Sequence, residues 1–331
     1  MARKIDWEAQ LGRRLNLRDL HVFSTVVQRG SMAKAAEQLG VTQPAVSELI
    51  GDLEHALGVR LLDRGPRGVE PTAAGRVLLR RSNAAFDELR QGIREIQFLA
   101  DPAAGELRIG AVESIATVIL PPIIQGFFRQ YPRVVLQLHR LGDPPLKLTE
   151  LRERCLDLVL ARVVRENEDN DLDVDVLLED EMVVTAGAKS PWASRNKIDL
   201  AELVDEPWIL TPPSSWTSLM VMESFRMQGL PMPRISLTTF CTSLRASLVA
   251  GGPFITAFPR SIVPLDAGAR SIKILPLDLP VRPWPVAIIT LKNRILSPVA
   301  QLFIDHVRAS MRSTTDGIEA ETNSGRVSTG G

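Results

Sequence analysis

This chain of 331 residues has two cysteines, four histidines, no net charge and no long apolar run. Two thiols, Cys155 and Cys241, cannot build a disulfide framework or a zinc site, so both read as reduced, packed side chains. No stretch approaches the roughly 20 consecutive apolar residues that a bilayer span requires, so no membrane partner is expected. The opening run MARKIDWEAQLGRR lacks the apolar centre of a signal peptide, and a cytoplasmic location is expected. Signatures of catalysis are missing as well: there is no G-x-S-x-G elbow, phosphate loop, H-E-x-x-H helix or G-x-G-x-x-G turn. The histidines (His21, His55, His139 and His306) are scattered. These absences argue against an enzyme, a metal centre or a resident cofactor.

What is present is ample apolar content, 45% of residues, enough for a core in each of two or three domains. The neutral total hides a local excess of charge. Arg60, Arg64, Arg67, Arg76, Arg80 and Arg81 face only Asp63 and Glu70 over the same stretch, a positive patch of the kind phosphate contacts require.

Apolar residues recur at helical spacing in the first hundred positions: Leu17, Leu20, Phe23 and Val27, then Val46, Ile50, Leu53 and Leu57. Gly30-Ser31 and Gly40-Val41-Thr42 interrupt this pattern and each supplies an N-cap, so three short helices are expected. Gly58 ends the third. Two extended runs between 59 and 71 then flank Arg64-Gly65-Pro66-Arg67-Gly68, a hairpin-like wing. From Thr72 to about Leu99 no proline intervenes, and Leu79, Ser82, Phe86, Leu89, Ile93 and Ile96 form a seam suited to a second copy of the chain. Asp101-Pro102-Ala103-Ala104-Gly105 reads as a hinge.

Beyond the hinge, extended runs (106–111, 134–140, 156–161) alternate with helical ones (114–131, 145–154), the pattern of an α/β domain with a largely parallel sheet. Runs 174–178 and 181–186 lead to a second group with helices near 200–204 and 215–228. Strand 234–239, helix 242–250 and strand 254–257 follow, giving two lobes joined by crossing strands. Residues 311–331, small and polar without apolar period, read as a disordered tail.

With Val46, Ile50, Leu53 and Leu57 turned inward, the outer face of the third helix offers Thr42, Gln43, Pro44 and Ser47. A glutamine can bond the edge of adenine bidentately, serine and threonine can meet bases or phosphates, and apolar carbon can touch a thymine methyl. Pro44 is tolerated in the first turn, where its missing N–H has no helical partner. The N-terminus of the second helix at Ser31, together with Arg64 and Arg67 of the wing, suits phosphate. Double-stranded DNA is the expected partner.

The run Gly30-Ser31-Met32-Ala33-Lys34-Ala35-Ala36-Glu37-Gln38-Leu39-Gly40-Val41-Thr42-Gln43-Pro44-Ala45-Val46-Ser47, with Leu53-Glu54 and Leu57-Gly58, resembles the helix-turn-helix of LysR-type transcriptional regulators. Leu61-Leu62-Asp63-Arg64, Gly68-Val69 and Pro71-Thr72-Ala73-Ala74-Gly75 continue the resemblance, which extends in organisation over residues 17–310. It implies an N-terminal all-α winged helix-turn-helix (17–72, after an extension 1–16), a long linker and dimerisation helix (73–100), and a two-lobed α/β domain of periplasmic-binding-protein type II (101–310). It further implies a homodimer or homotetramer on an interrupted palindrome in promoter DNA, a small-molecule co-inducer between the lobes, and contact with RNA polymerase. Glu48 departs from the family, where a basic or amide residue often follows Ser47, and this bears on base preference.

Open α/β sheets bind ligands at the carboxyl ends of strands beside helix N-termini, and three such places occur here. By resemblance Ser114 offers a hydroxyl to the effector, and Ser215, next to Trp216, is the closest match at the second place. The third is the segment from Thr239 to Thr242. Helix N-termini and hydroxyls favour an organic acid, whereas Asp143 and Trp216 suit a sugar equally well. Both remain open at this point.

Overall fold

The computed structural model describes residues 15–327 apart from 66–67, 143–147, 164–169 and 264–271, and from residue 313 it describes the backbone. Arg67 and Asp143 therefore lie outside the described residues, as does most of the extension 1–16. The chain divides into two compact units, Met1–Ile93 and Arg94–Gly331.

In the first unit, helices α1 (Leu17–Arg29), α2 (Met32–Leu39) and α3 (Gln43–Leu57) form as the caps dictate. The side chains of Asn16, Ser31 and Thr42 accept from the backbone N–H of Asp19, Lys34 and Ala45 at the three starts. Phe23, Val26, Ala35, Val46 and Ile50, all fully buried, make the core. The wing is the antiparallel hairpin β1 (Leu62–Gly65) and β2 (Gly68–Pro71). It is fastened at two places. Glu54 accepts from the N–H groups of Leu61 (2.7 Å) and Leu62 (3.1 Å), and Val69 N–H donates to the Gly30 carbonyl at 2.9 Å. Gly68 is required at the second: its φ is 119°, and a Cβ there would stand 2.5 Å from that carbonyl oxygen.

Thr72 then opens α4 (Ala73–Ala100), its hydroxyl accepting from Gly75 N–H at 3.0 Å and donating to the Arg60 carbonyl at 2.8 Å. The expected seam on α4 splits. Leu79 and Phe86 are half-buried, Leu79 beside the first unit's core and Phe86 edge-on to His21. Leu89, Ile93 and Ile96, spaced four and three apart, are exposed.

The second unit holds two five-stranded sheets. Lobe I has the order β4-β3-β5-β12-β6, from β3 (Ala104–Ala111), β4 (Arg133–Arg140), β5 (Leu158–Arg162), β6 (Leu172–Asp180) and β12 (Trp284–Leu291). Lobe II has the order β11-β7-β10-β8-β9, from β7 (Met182–Gly187), β8 (Trp208–Leu210), β9 (Ile235–Thr238), β10 (Ile255–Pro259) and β11 (Ile272–Ile274). The expected largely parallel sheet is found, with one reversed strand in each lobe. β3 is parallel to β4 and β5, and β8 to β9 and β10. In contrast β12 runs antiparallel to β5 and β6, and β7 antiparallel to β10 and β11. The cause is that the chain crosses between lobes at Glu181 and again after β11, and each return strand enters its sheet reversed.

Helices α5 (Leu120–Gln130), α6 (Thr149–Arg152), α7 (Trp216–Met227) and α8 (Thr242–Gly251) connect these strands. The segment expected to be helical from Ser114 begins instead as a π-helical turn, Ile115–Ile119. The expected 145–154 helix is a single turn among the described residues. At the end, α9 runs Pro298–Val327. Backbone helix thus continues through 311–327, where disorder was expected, and no proline after Pro298 interrupts it.

The expected hinge at 101–105 is tied down on both sides. Asp101 accepts from Ala103 N–H (3.1 Å) and Arg133 (2.7 Å), and β3 begins at Ala104. The end of α4 belongs to the second unit: Phe98 packs on the core of lobe I and Arg94 reaches Asp157 at 3.3 Å. Asp157, 1% exposed, also accepts from Arg108 through its backbone N–H (2.9 Å) and guanidinium (2.7 Å), and from Arg294 at 2.8 Å. Burial pushes this carboxyl up, but the hydrogen bonds and charge of Arg108, joined by the charge of Arg94, outweigh it and hold it below the ordinary range.

A depressed carboxyl stabilises the fold above its unfolded pKa, and that contribution drains as the pH falls through the lower folded value. Asp157→Asn is expected to cost about 3–5 kcal/mol, because three guanidinium groups lose their buried partner. Urea unfolding of the wild type should weaken on acidification below about pH 4, with the variant showing a flatter acid limb. Parallel acid limbs in the two proteins would contradict this role.

Candidate DNA-reading face and effector cleft

On the first unit, Thr42, Gln43, Pro44 and Glu48 are exposed and Ser47 is half-buried, so the expected reading face of α3 is open to solvent. Ser31 and Thr42 use their hydroxyls as caps, at 3.5 and 3.4 Å from Lys34 N and Ala45 N. Helix α2 therefore presents an N-terminus whose first-turn N–H groups have no helical acceptor, a ready phosphate contact. Arg64 does not reach away from the reading helix: its Nη1 donates to Ser47 Oγ at 3.2 Å. The wing cation and one expected base reader thus form a pair in the free chain, a contact invisible to sequence because the two lie seventeen positions apart. Arg60, Arg76, Arg80 and Arg81 are exposed, as a phosphate-facing patch must be.

In the second unit a cleft opens between the lobes. Of the residues expected to meet an effector, Ser114, Ser215, Trp216 and Thr242 line it together. Thr239 does not. Its hydroxyl accepts from Cys241 N–H at 3.2 Å and shapes the turn into α8, and Phe240 takes the lining position. Ser215 caps α7 and belongs to a buried hydroxyl cluster with Thr211 and Ser218. Trp216 stands 6.0 Å from Trp284, ring to ring, and the two form an aromatic wall. The indole N–H of Trp284 is buried without a partner among the described residues.

Three charged lining residues were not among the expected effector contacts: Glu113, Arg162 and Arg245. Arg162, the last residue of β5, is 5% exposed. It donates to Asp180 through Nε (3.1 Å) and Nη2 (2.7 Å), to Ser261 (3.1 Å) and, through Nη1, to Ser114 Oγ at 3.2 Å. Burial lowers the pKa of its guanidinium, and the charge of Asp180 opposes that shift. Arg245, 2% exposed, donates to the Ala257 carbonyl at 3.1 Å and lies over the Phe258 ring at 4.4 Å. Glu113 accepts from Thr242 Oγ1 at 2.7 Å, a bond from one lobe to the other.

Both cysteines are exposed rather than packed. Cys241 sits at the start of α8, and the hydroxyl of Ser243, 3.3 Å away, pulls its thiol pKa down. No helix among the described residues is long and apolar enough to cross a membrane.

A winged helix-turn-helix followed by a two-lobed domain with a polar cleft defines a DNA-binding regulator that responds to a small molecule. Comparison with known proteins gives the family. Residues 17–76 match the bacterial regulatory helix-turn-helix of the lysR family, and residues 100–312 match the LysR substrate binding domain. The chain is 32% identical over 293 residues to YybE of Bacillus subtilis, an uncharacterised HTH-type transcriptional regulator, covering 87% of this chain and 96% of that one. It is 28% identical over 298 residues to the transcriptional regulator GbpR of Azospirillum brasilense, covering 90% and 87%. In fold it is similar to a full-length OxyR variant from Pseudomonas aeruginosa (TM-score 0.66, 22% identity, 90% and 95% covered). It is likewise similar to full-length CbnR complexed with its target DNA (TM-score 0.60, 21% identity, 89% and 100% covered). The chain belongs to the LysR family: it is a DNA-binding transcriptional regulator with an effector-binding domain, not an enzyme.

The expected division gives base reading to the exposed face of α3 and phosphate anchoring to the wing. Gln43→Ala should change the preferred operator sequence in a binding-site selection. Arg64→Ala should weaken binding across sequences and reduce the salt slope by about one. Uniform losses on all sequences for both variants would contradict the division.

Proposed function

We propose that this regulator reads an interrupted palindrome in promoter DNA as a homodimer or homotetramer in the cytoplasm. Gln43, Pro44 and Ser47 meet bases, and Ser31, Thr42, Arg64 and Arg67 meet the backbone. A small organic acid, bound as co-inducer between the lobes, controls contact with RNA polymerase. The convergence in one cleft of two buried guanidinium groups with Ser114 and Ser215 carries the ligand reading. The turn after Ser114 and the start of α7 bring positive helix ends to this space, which favours an anion. A sugar is the second reading, favoured by the aromatic wall of Trp216 and Trp284.

Those tryptophans make the cleft optically addressable. A panel of aliphatic and aromatic carboxylates, with aldoses alongside, is expected to yield a carboxylate that changes tryptophan emission. Trp216→Phe should remove much of that change, and Ser114→Ala should weaken binding about tenfold, the loss of one to two hydrogen bonds to a charged group. A binder indifferent to both substitutions would remove the cleft from the proposal.

The oligomer reading rests on α4. Leu89, Ile93 and Ile96 leave an apolar stripe in solvent, 50%, 56% and 68% exposed, as a seam for a second copy does. Ile93→Glu with Ile96→Glu is expected to shift sedimentation to a smaller species, and an unchanged mass would exclude α4 as the interface.

A further inference from the structure

Glu113 is an acid in a cleft otherwise arranged for an anion. It is half-buried beside Ser114, and its carboxylate accepts one hydrogen bond, from Thr242 at the first position of α8. No Lys or Arg pairs with it among the described residues. Two consequences follow. The positive start of α8 already faces a negative group, supplied by the protein itself, so a ligand carboxylate is directed to Ser114, Ser215 and the guanidinium side of the cleft. Beside Glu113, a second anionic group would meet like charge in a space partly withdrawn from water, whereas a donor would meet an acceptor with spare lone pairs.

We propose that Glu113 selects an effector that carries an ammonium group, so that the ligand of this cleft is an amino acid or a close amino-carboxylate relative. The inference rests on the reading of the cleft as the effector site and narrows its ligand class. An ammonium suits the position better than a hydroxyl because its hydrogen bond to a carboxylate is charge-assisted on both sides. The ligand ammonium and the Thr242 hydroxyl then share one carboxylate, which places the ligand beside the bond between the lobes.

The test uses the full-length protein and three matched panels: the common L-amino acids, the same acids with hydrogen in place of the amine, and the corresponding 2-hydroxy acids. Thermal shift identifies binders, and calorimetry gives their affinities. At least one amino acid should bind ten times more tightly than both of its matched partners. Glu113→Gln should reduce that preference at least tenfold, and Glu113→Asp, which keeps the charge, should retain most of it.

An amine-free or hydroxy acid that binds as well as its amino partner overturns the proposal. So does equal loss in the Gln and Asp variants, or an absence of binders in the amino acid panel. These outcomes are distinguishable from failure of the cleft itself. Amine-free acids that bind and are weakened by Ser114→Ala leave the cleft reading standing, whereas a binder insensitive to Ser114→Ala and Trp216→Phe removes both.

Discussion

A guanidinium buried where two lobes meet is the constraint around which the effector-binding unit is arranged. Arg162 cannot leave water without a counter-charge and acceptors for its fork of donors. Asp180, at the end of the strand that leaves lobe I, supplies the charge. Ser261, just beyond β10 in lobe II, donates to both Asp180 oxygens, from its backbone N–H to one and its hydroxyl to the other, and accepts from Arg162. The pair is therefore satisfied by groups from both lobes, and the crossing point at Glu181 has a defined geometry instead of a slack connection. One donor of Arg162 remains directed at Ser114, so the hydroxyl expected to meet the effector is held by the same group that fixes the junction.

That arrangement explains which parts of the cleft were legible. Ser114, Ser215 and Thr242 stand at helix starts, and a helix start leaves a local signature because its N–H groups need an acceptor nearby in sequence. Arg162 and Arg245 leave none. Arg162 ends an apolar run and reads as its boundary, and Arg245 lies inside a helix; each matters through partners distant in sequence. Glu113 gains its place through a bond across 129 positions to Thr242. For the same reason the alternation of strand and helix conveyed two α/β lobes but not the reversed strand β12, whose neighbours β5 and β6 lie more than a hundred residues earlier.

The DNA-reading unit was legible in more detail because its determinants are short-range. Caps at Asn16, Ser31 and Thr42 fix three helices, and the turns between them are too short to allow another packing of the apolar faces. Even there, one long-range contact changes the chemistry. With Arg64 bonded to Ser47, the wing helps to orient the reading helix before DNA arrives, and Glu48 sits next to a residue already committed to a cation. An exposed acid on the outer face of α3 then lowers the local positive potential on the face expected to read bases, while the exposed Arg60, Arg76, Arg80 and Arg81 raise it where phosphate contact is expected.

Strand β5 joins the two charged centres of the second unit. Asp157 precedes its first residue and Arg162 is its last, so roughly 16 Å of extended chain separates the carboxylate that grips Arg94 from the guanidinium beneath the cleft. All five residues of β5 are buried, between β3 on one edge and β12 on the other. Close-packed neighbours leave such a strand little room for local buckling. The end of α4 is held at Asp157 by an ion pair in the interior of the unit, not by a flexible tether. The short turn at 101–103 is itself tied to Arg133 through Asp101.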